Sequence, residues 1–424
     1  MRVALVTIGS LGDVQPILAL AVGLKREGHA VRVVTHASFA TLGRRLGVDL
    51  RSTNAADPRR VLQTEAGREV LARRNPLRAW RDFASLAEES ASTLFADALA
   101  ACEGVDLVGF SGLGMFPGYA VAARLGVPYF AAHLIPIGAT RDFPSPLLPP
   151  GPAWVPGYNQ ASHAVGRWLV WRWFAPLADR VRGGIRPASR FPSLGELTAG
   201  AQASLFGISP AVVPLPAAWS AWARFTGYWF LDAPIGWEAS PELVRFLENG
   251  PPPVVVGFGS MIGRNPAGAT RIVVDALERA SLRGVLLLGW GGMEMRPLPP
   301  TVLALDFAPH AWLYPRAAVV VHHGGAGTTA AALRAGVPSV VVPFAFDQPF
   351  WAERIRRLGA APAPIPAREV TAARLAAAIE RAIKDPRIRN AARALGERVR
   401  AEDGVATAMR GLERALSQRG RPSV

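Results

Sequence analysis

The sequence predicts an α/β protein built from two doubly wound, parallel-sheet domains. Three observations predict it. Short apolar runs alternate with amphipathic stretches along most of the 424 residues, which is the pattern of strand–helix–strand units. Glycines follow several of those runs, at Gly9, Gly257 and Gly324, where a strand turns into a loop or helix. A proline-rich interval containing Pro214, Pro216, Pro234, Pro241 and Pro251 to Pro253 interrupts the series, and a second series starts after it. A chain of this length that is 50% hydrophobic can fill two separate cores.

The first unit opens with the apolar run Val3 to Ile8, the turn Gly9 to Asp13 and a helix that turns Leu18, Leu20, Ala21 and Leu24 inward. Pro16 is expected near the helix start, where its missing N–H costs nothing, and Gly28 is expected to stop the helix. Val31 to Thr35 is the next strand, so the first two strands form a parallel crossover unit. Val105 to Phe110 and Val127 to Ala132 read as strands, with a helix from Tyr119 to Leu125 between them ending at Gly126. Residues 134–176 hold Pro136, Pro144, Pro146, Pro149, Pro150, Pro152 and Pro156, together with Trp154, Trp168, Trp171 and Trp173. Ser162 to Phe174 fits an amphipathic helix, whose tryptophans serve either core packing or an apolar ligand wall. The second series runs through strands at Val254–Phe258, Gly284–Leu288, Val319–Val321 and Val337–Val342. Helices are expected over Thr270–Ala280 and Thr328–Ala335, and from Arg368 to the end with breaks near Asp385-Pro386 and Gly404.

Bulk properties narrow the function. The single cysteine, Cys102, excludes an internal disulfide framework and a cysteine metal site, and fits a reducing compartment. The first nine residues are too short for a signal-peptide core, and no apolar stretch reaches the roughly 18 residues of a membrane span. Both point to a soluble, cytoplasmic protein. The net charge is +15, nearly all of it arginine, since the only lysines are Lys25 and Lys384. The arginines are scattered, without the aromatic-interleaved stripe of single-strand binders, so nucleic acid is not expected as a partner. Solvated helix faces explain most of the charge, and its functional reading is a weak peripheral contact with an anionic membrane.

Four segments carry candidate chemistry. In Val319 to Thr329 an apolar strand runs into His322-His323-Gly324-Gly325-Ala326-Gly327 and then Thr328-Thr329. Glycines let backbone amides approach a diphosphate, and a helix N-terminus offers free N–H groups and partial positive charge. His323 and the threonine hydroxyls add donors; the bland alternative is a tight turn with threonine N-caps. Asp347-Gln348 lies beyond a strand end, where α/β folds bind ligands, and a carboxylate beside an amide suits sugar hydroxyls. Gly257-Phe258-Gly259-Ser260 offers close approach and a hydroxyl donor. Asp13 reads either as an N-cap or as a general base, whose basicity burial in an apolar cleft would raise.

Together these segments resemble the nucleotide-sugar glycosyltransferases of the two-Rossmann (GT-B) type, family 1, and within them the sterol glucosyltransferase branch and the bacterial antibiotic glycosyltransferases. Gly9 to Pro16 resembles the branch's amino-terminal motif, although Leu11 stands where arginine is usual. Thr226-Gly227-Tyr228-Trp229 resembles its junction, Phe307 to Leu313 through Asp347-Gln348 its donor-binding signature, and Glu402 to Ala406 its carboxy-terminal helix.

The resemblance implies two Rossmann-like domains facing across a cleft. An acceptor-binding domain would cover 1–215, a linker 216–240 and a donor domain 241–395, with helix 396–424 packing back on the first domain. Asp13 would be the catalytic base. Ser10, Ser260, His323, Gly325, Gly327 and Thr328 would bind the donor diphosphate, and Asp347 and Gln348 the sugar. Phe307, His310 and Trp312 would bind the nucleoside, Phe307 standing where plant relatives stack a tryptophan on uracil. The implied activity is inverting, metal-independent transfer of a hexose, glucose favoured, from a UDP-sugar to a hydroxyl of an apolar acceptor such as a sterol, another lipid or a hydrophobic natural product. No cofactor is implied beyond the nucleotide-sugar co-substrate, and no Asp-x-Asp metal site is evident. The competing readings are a dTDP-sugar-dependent enzyme, a sugar-nucleotide epimerase and a catalytically silent binding protein on the same scaffold.

Overall fold

The computed structural model describes residues 1–57, 61, 64–72, 76–148, 151, 155–182, 192–231, 237–259, 266–289, 293 and 297–419. The chain divides into two compact units. One comprises Met1–Val61, Trp80–Leu231 and Glu402–Val424; the other comprises Leu62–Ala79 and Asp232–Ala401.

The first unit is built on a parallel sheet of seven strands: β1 (Arg2–Ile8), β2 (Ala30–His36), β3 (Asp49–Thr53), β4 (Leu107–Gly112), β5 (Tyr129–His133), β6 (Ser204–Phe206) and β7 (Ala223–Phe225). Their order is β3-β2-β1-β4-β5-β6-β7. The chain builds outward from β1 to β3 and then returns to the other side of β1, so the switch point lies between β1 and β4. There Thr7 pairs with Ser111 and Ile8 with Gly112. One sheet face, carrying Ala4, Val6, Val34, Val108, Phe110 and Ala131, packs on Phe116, Phe174 and Leu177. Helix Gly404–Arg419 packs on helix Leu11–Arg26, where a Cβ at Gly23 would lie 2.4 Å from Val405.

The first helix starts at Leu11, so Pro16 is its sixth residue and not an N-terminal one. The expectation that proline costs nothing there fails, because an interior proline removes one i→i−4 bond and leaves the Gly12 carbonyl without that donor. The tryptophan stretch forms the helix Tyr158–Arg182. Trp171 stacks on Phe116 at 6.1 Å and Trp173 packs on the same core, whereas Trp168 is 63% exposed; Trp154 lies outside the described residues. Cys102 caps helix Ala91–Ala101 and is fully buried; burial pushes its thiol up to about 12, which keeps it unreactive.

The second unit has a five-stranded parallel sheet: β8 (Val254–Gly257), β9 (Gly284–Leu287), β10 (Val302–Leu305), β11 (Val319–His322) and β12 (Ser339–Val341). The order is β10-β9-β8-β11-β12, which puts the switch point between β8 and β11. Val254, Val256, Leu286, Val319, Val321 and Val340 face one helical layer, while Val255, Val285, Leu303 and Val320 face the other. Alternate residues of each strand therefore serve opposite cores, as a sheet covered on both faces requires.

Candidate functional site

In the second unit the two central strands end side by side. β8 runs into Phe258-Gly259 and β11 into His323-Gly324-Gly325. The His323 ring sits between two glycines. A Cβ at Gly259, whose φ is +60°, would lie 3.0 Å from its Cε1, and a Cβ at Gly325 would lie 2.4 Å from its Nε2. Neither position accommodates a side chain while the ring stays there. Ser260 lies outside the described residues.

Helix Ala326–Ala335 begins directly after Gly325, its N-cap, which has no side chain to bond the first turn. Thr329 N–H donates to the Gly325 carbonyl at 2.9 Å. The amides of Ala326, Gly327 and Thr328 have no partner among the described residues. The threonines are therefore not N-caps: Thr328 and Thr329 are the third and fourth helical residues. Thr329 is buried with its hydroxyl unpartnered. Three free N–H groups and the positive end of the helix dipole form a site for an anion.

Three imidazoles line this end of the sheet. His322 Nδ1 accepts from Gly324 N–H at 3.1 Å. His323 is 9% exposed, and its Nδ1 is shielded and unpartnered. His310 stacks on Tyr314 with centroids 4.4 Å apart. Burial pushes His322 down to about 3, with added repulsion from His323 and His310. It pushes His323 and His310 down to about 4, with His310 adding repulsion on His323. His323 is thus neutral near pH 7 and carries one ring N–H to donate. The unfolded chain protonates these rings near 6.5 and the native one only near 3–4, so stability is full above about 6.5 and falls as pH drops toward 4. A lower Tm at pH 5 than at pH 7, by circular dichroism, is expected, with a shallower fall in His323→Gln.

Beyond β12 the chain passes through Phe346, which holds a φ of +59°, a conformation that costs a bulky residue about 1–3 kcal/mol. The strain aims Asp347, the N-cap of helix Gln348–Arg357. Trp351 Nε1 donates to one Asp347 carboxylate oxygen at 2.8 Å. Gln348 is 3% exposed, and its Oε1 accepts from the Phe344 and Ala345 amides at 2.7 and 3.2 Å. That oxygen braces the loop, a role its place in the sequence does not disclose.

The expected nucleoside residues differ in environment. Phe307 is 53% exposed and is one of four exposed large apolar side chains among the described residues. Trp312 packs edge-on against Trp237 at 5.2 Å, and the Arg316 guanidinium lies 4.1 Å from its ring centroid.

In the first unit, Asp13 follows the switch point after β1. It is not the N-cap; that is Ser10, and Asp13 is the third helical residue. The Ser10 N–H and hydroxyl both donate to Asp13 Oδ2, at 2.7 and 2.9 Å. Oδ1 takes no hydrogen bond from the described residues. Burial raises the Asp13 pKa above its ordinary value, and the two Ser10 bonds oppose the rise. Gly9, with a φ of +150°, makes room: a Cβ there would lie 2.3 Å from Oδ2. Ser10, expected at the donor diphosphate, spends its donors on Asp13.

Comparison with known proteins bears on this geometry. Residues 3–141 match the glycosyltransferase family 28 N-terminal domain, and residues 290–409 the erythromycin biosynthesis protein CIII-like C-terminal domain. The chain is 34% identical over 441 residues to a sterol 3-beta-glucosyltransferase of Emericella nidulans, matching 98% of this chain and 30% of that protein. It is 33% identical over 424 residues to one of Pichia angusta, matching 96% of this chain and 33% of that protein. The chain thus spans about a third of the length of these relatives. Among solved structures, the calicheamicin glycosyltransferase CalG4 superimposes with a TM-score of 0.67 at 20% identity, over 99% of this chain and 100% of that one. The glycosyltransferase VinC in complex with dTDP gives 0.66 at 20% identity, with the same coverage. At such identity these two establish the shared fold.

Proposed function

Because the chain belongs to the nucleotide-sugar glycosyltransferases of the GT-B type, in the branch of the sterol 3-beta-glucosyltransferases, we propose that it transfers a hexose, glucose first, from a UDP-sugar to a hydroxyl of an apolar acceptor, with inversion. The observation that carries this reading is the helix at Ala326 without a side-chain cap, with three amides and His323 Nδ1 that have no partner among the described residues. A pyrophosphate would accept from these amides, and from a ring N–H at Nε2, the His323 nitrogen that faces Gly325.

In the proposed reaction the acceptor hydroxyl gives its proton to Asp13, and the oxygen attacks the anomeric carbon. The bond from that carbon to the diphosphate oxygen breaks, and its electron pair leaves with the nucleotide. The amides of Ala326 to Thr328, the Thr328 hydroxyl and His323 take up the developing negative charge without a metal. Asp347, held by Trp351, accepts from sugar hydroxyls. Phe307 offers an exposed aromatic face to the base, and His310 and Trp312 follow it in the segment assigned to the nucleoside. An apolar acceptor draws on membrane lipid or a hydrophobic natural product, and the chain's positive charge favours weak contact with anionic lipid.

The test incubates the chain with UDP-glucose, and separately with dTDP-glucose, over a panel of apolar alcohols in chelator. Formation of the β-glucoside from α-configured donor with release of UDP is expected. Donor turnover that ignores the acceptor, or no donor binding at all, would sink the reading. Faster turnover of dTDP-glucose would move the donor to the deoxythymidine series, in keeping with the VinC complex.

A further inference from the structure

The mechanism above gives no task to His133, the last residue of β5. Its ring lies 4.5 Å, centroid to centroid, from Phe206, and burial holds it neutral, with a pKa of about 4. Neither ring nitrogen makes a hydrogen bond among the described residues, and Nε2 is fully shielded from solvent. An unpartnered polar nitrogen in such a place lowers stability, and phenylalanine would fill the same space against Phe206 without that cost.

The position of the ring is informative. In the first sheet β4 lies between β1 and β5. Gly112 ends β4, and a Cβ there would meet only the Ile8 carbonyl oxygen, at 3.9 Å. Asp13 follows β1 on one side of this side-chain-free strand end, and His133 closes β5 on the other. The two flanking strands are two strand spacings apart, roughly 10 Å. Both flanking groups keep hydrogen-bonding capacity unused among the described residues: Oδ1 of Asp13 and the ring of His133, whose Nε2 has no partner.

We propose that His133 is a specificity residue that hydrogen-bonds a second polar group of the acceptor, on the order of 10 Å from the hydroxyl that reacts. The acceptor class is then a rigid polycyclic alcohol with an oxygen function at each end, preferred over the same skeleton with one hydroxyl. This rests on the reading that the first unit binds the acceptor.

Equilibrium binding tests it without turnover. The full chain is titrated, with tryptophan fluorescence as readout, with a steroid diol hydroxylated at both ends of the ring system and with the same steroid lacking the far hydroxyl. The wild type is expected to bind the diol about tenfold tighter. His133→Phe brings that ratio close to one and raises Tm, because the unpartnered nitrogens are gone. His133→Asn, which keeps a donor and an acceptor, retains part of the preference. A wild type without preference, or one that binds neither steroid, overturns the proposal. So does a ratio unchanged in His133→Phe, or a variant of lower Tm, which would mean that the ring serves packing alone. A chain that binds both steroids yet moves no sugar refutes the transferase reading instead and leaves the binding ratio to decide on His133.

Discussion

Replacing Asp13 by asparagine is expected to lower sugar transfer about 10³-fold, within the range that a general base supplies, with donor affinity unchanged and Tm raised near neutral pH. Each part has its own cause. Asparagine can accept the same two bonds from Ser10 through its carbonyl oxygen, so the geometry of the first turn survives. It cannot take a proton, so the chemical step loses its base. The stability effect follows from the raised pKa of the carboxyl. The native state binds that proton more tightly than the unfolded chain, whose carboxyl titrates near 3.9. Above the native pKa the ionised, buried carboxylate therefore costs stability, and the cost disappears as pH falls toward the unfolded value. Asparagine removes it at pH 7–8. Single-turnover kinetics with saturating donor, together with a thermal melt, check both halves. Transfer at the wild-type rate would refute Asp13 as base, and a lower Tm would refute the desolvation argument.

The second large effect is expected at Gly325. Gly325→Ala puts a Cβ 2.4 Å from Nε2 of His323, so either the ring or the helix start must move. Both supply donors to the same proposed anion, and misplacing preorganised donors costs on the order of 10²–10³ in rate. We expect kcat/KM for the donor to fall by that much, with UDP binding weakened in parallel by calorimetry. Gly325 is partly exposed and lies at the helix boundary, so the fold is expected to tolerate alanine. His323→Gln, which keeps an N–H but not its position, should lose less. Unchanged UDP affinity in Gly325→Ala would mean that the diphosphate does not bind at this helix.

Much of the architecture was legible because its signals are local. A buried strand such as Val254–Gly257 announces itself as an apolar run, and Gly126 and Gly336, both left-handed at helix ends, mark their stops without reference to anything distant. Elements that lack such a signal were not legible. β3 exposes three of its five residues and fully buries only Thr53, so it has neither a run nor an alternation. β7 and β10 are three- and four-residue strands whose identity comes from pairing with β6 and β9. The helices over Glu65–Ala72, Pro76–Glu88 and Ala91–Ala101 lie in an Ala- and Arg-rich stretch where alanine fits any face. The helix starting at Ala326 rather than Thr328 shows the same limit, since Ala and Gly carry no capping side chain to mark the boundary.

Local sequence sets where strands turn into helices and which residue types stand at those turns: Asp13 after β1, His323 and the glycines after β11, and Asp347-Gln348 after β12. Those features depend on neighbours along the chain. Groups that lie far apart in the chain acquire their surroundings when the strands assemble. The fold seated the His323 ring between Gly259 and Gly325 and left the His133 ring without a hydrogen-bond partner among the described residues, whereas the bonds of Ser10 to Asp13 and of two loop amides to Gln348 join residues only three or four apart. The burial and pairing of His323 and His133 depend on atoms brought together from separate strands, and chain spacing carries no record of which of those polar groups will find a partner.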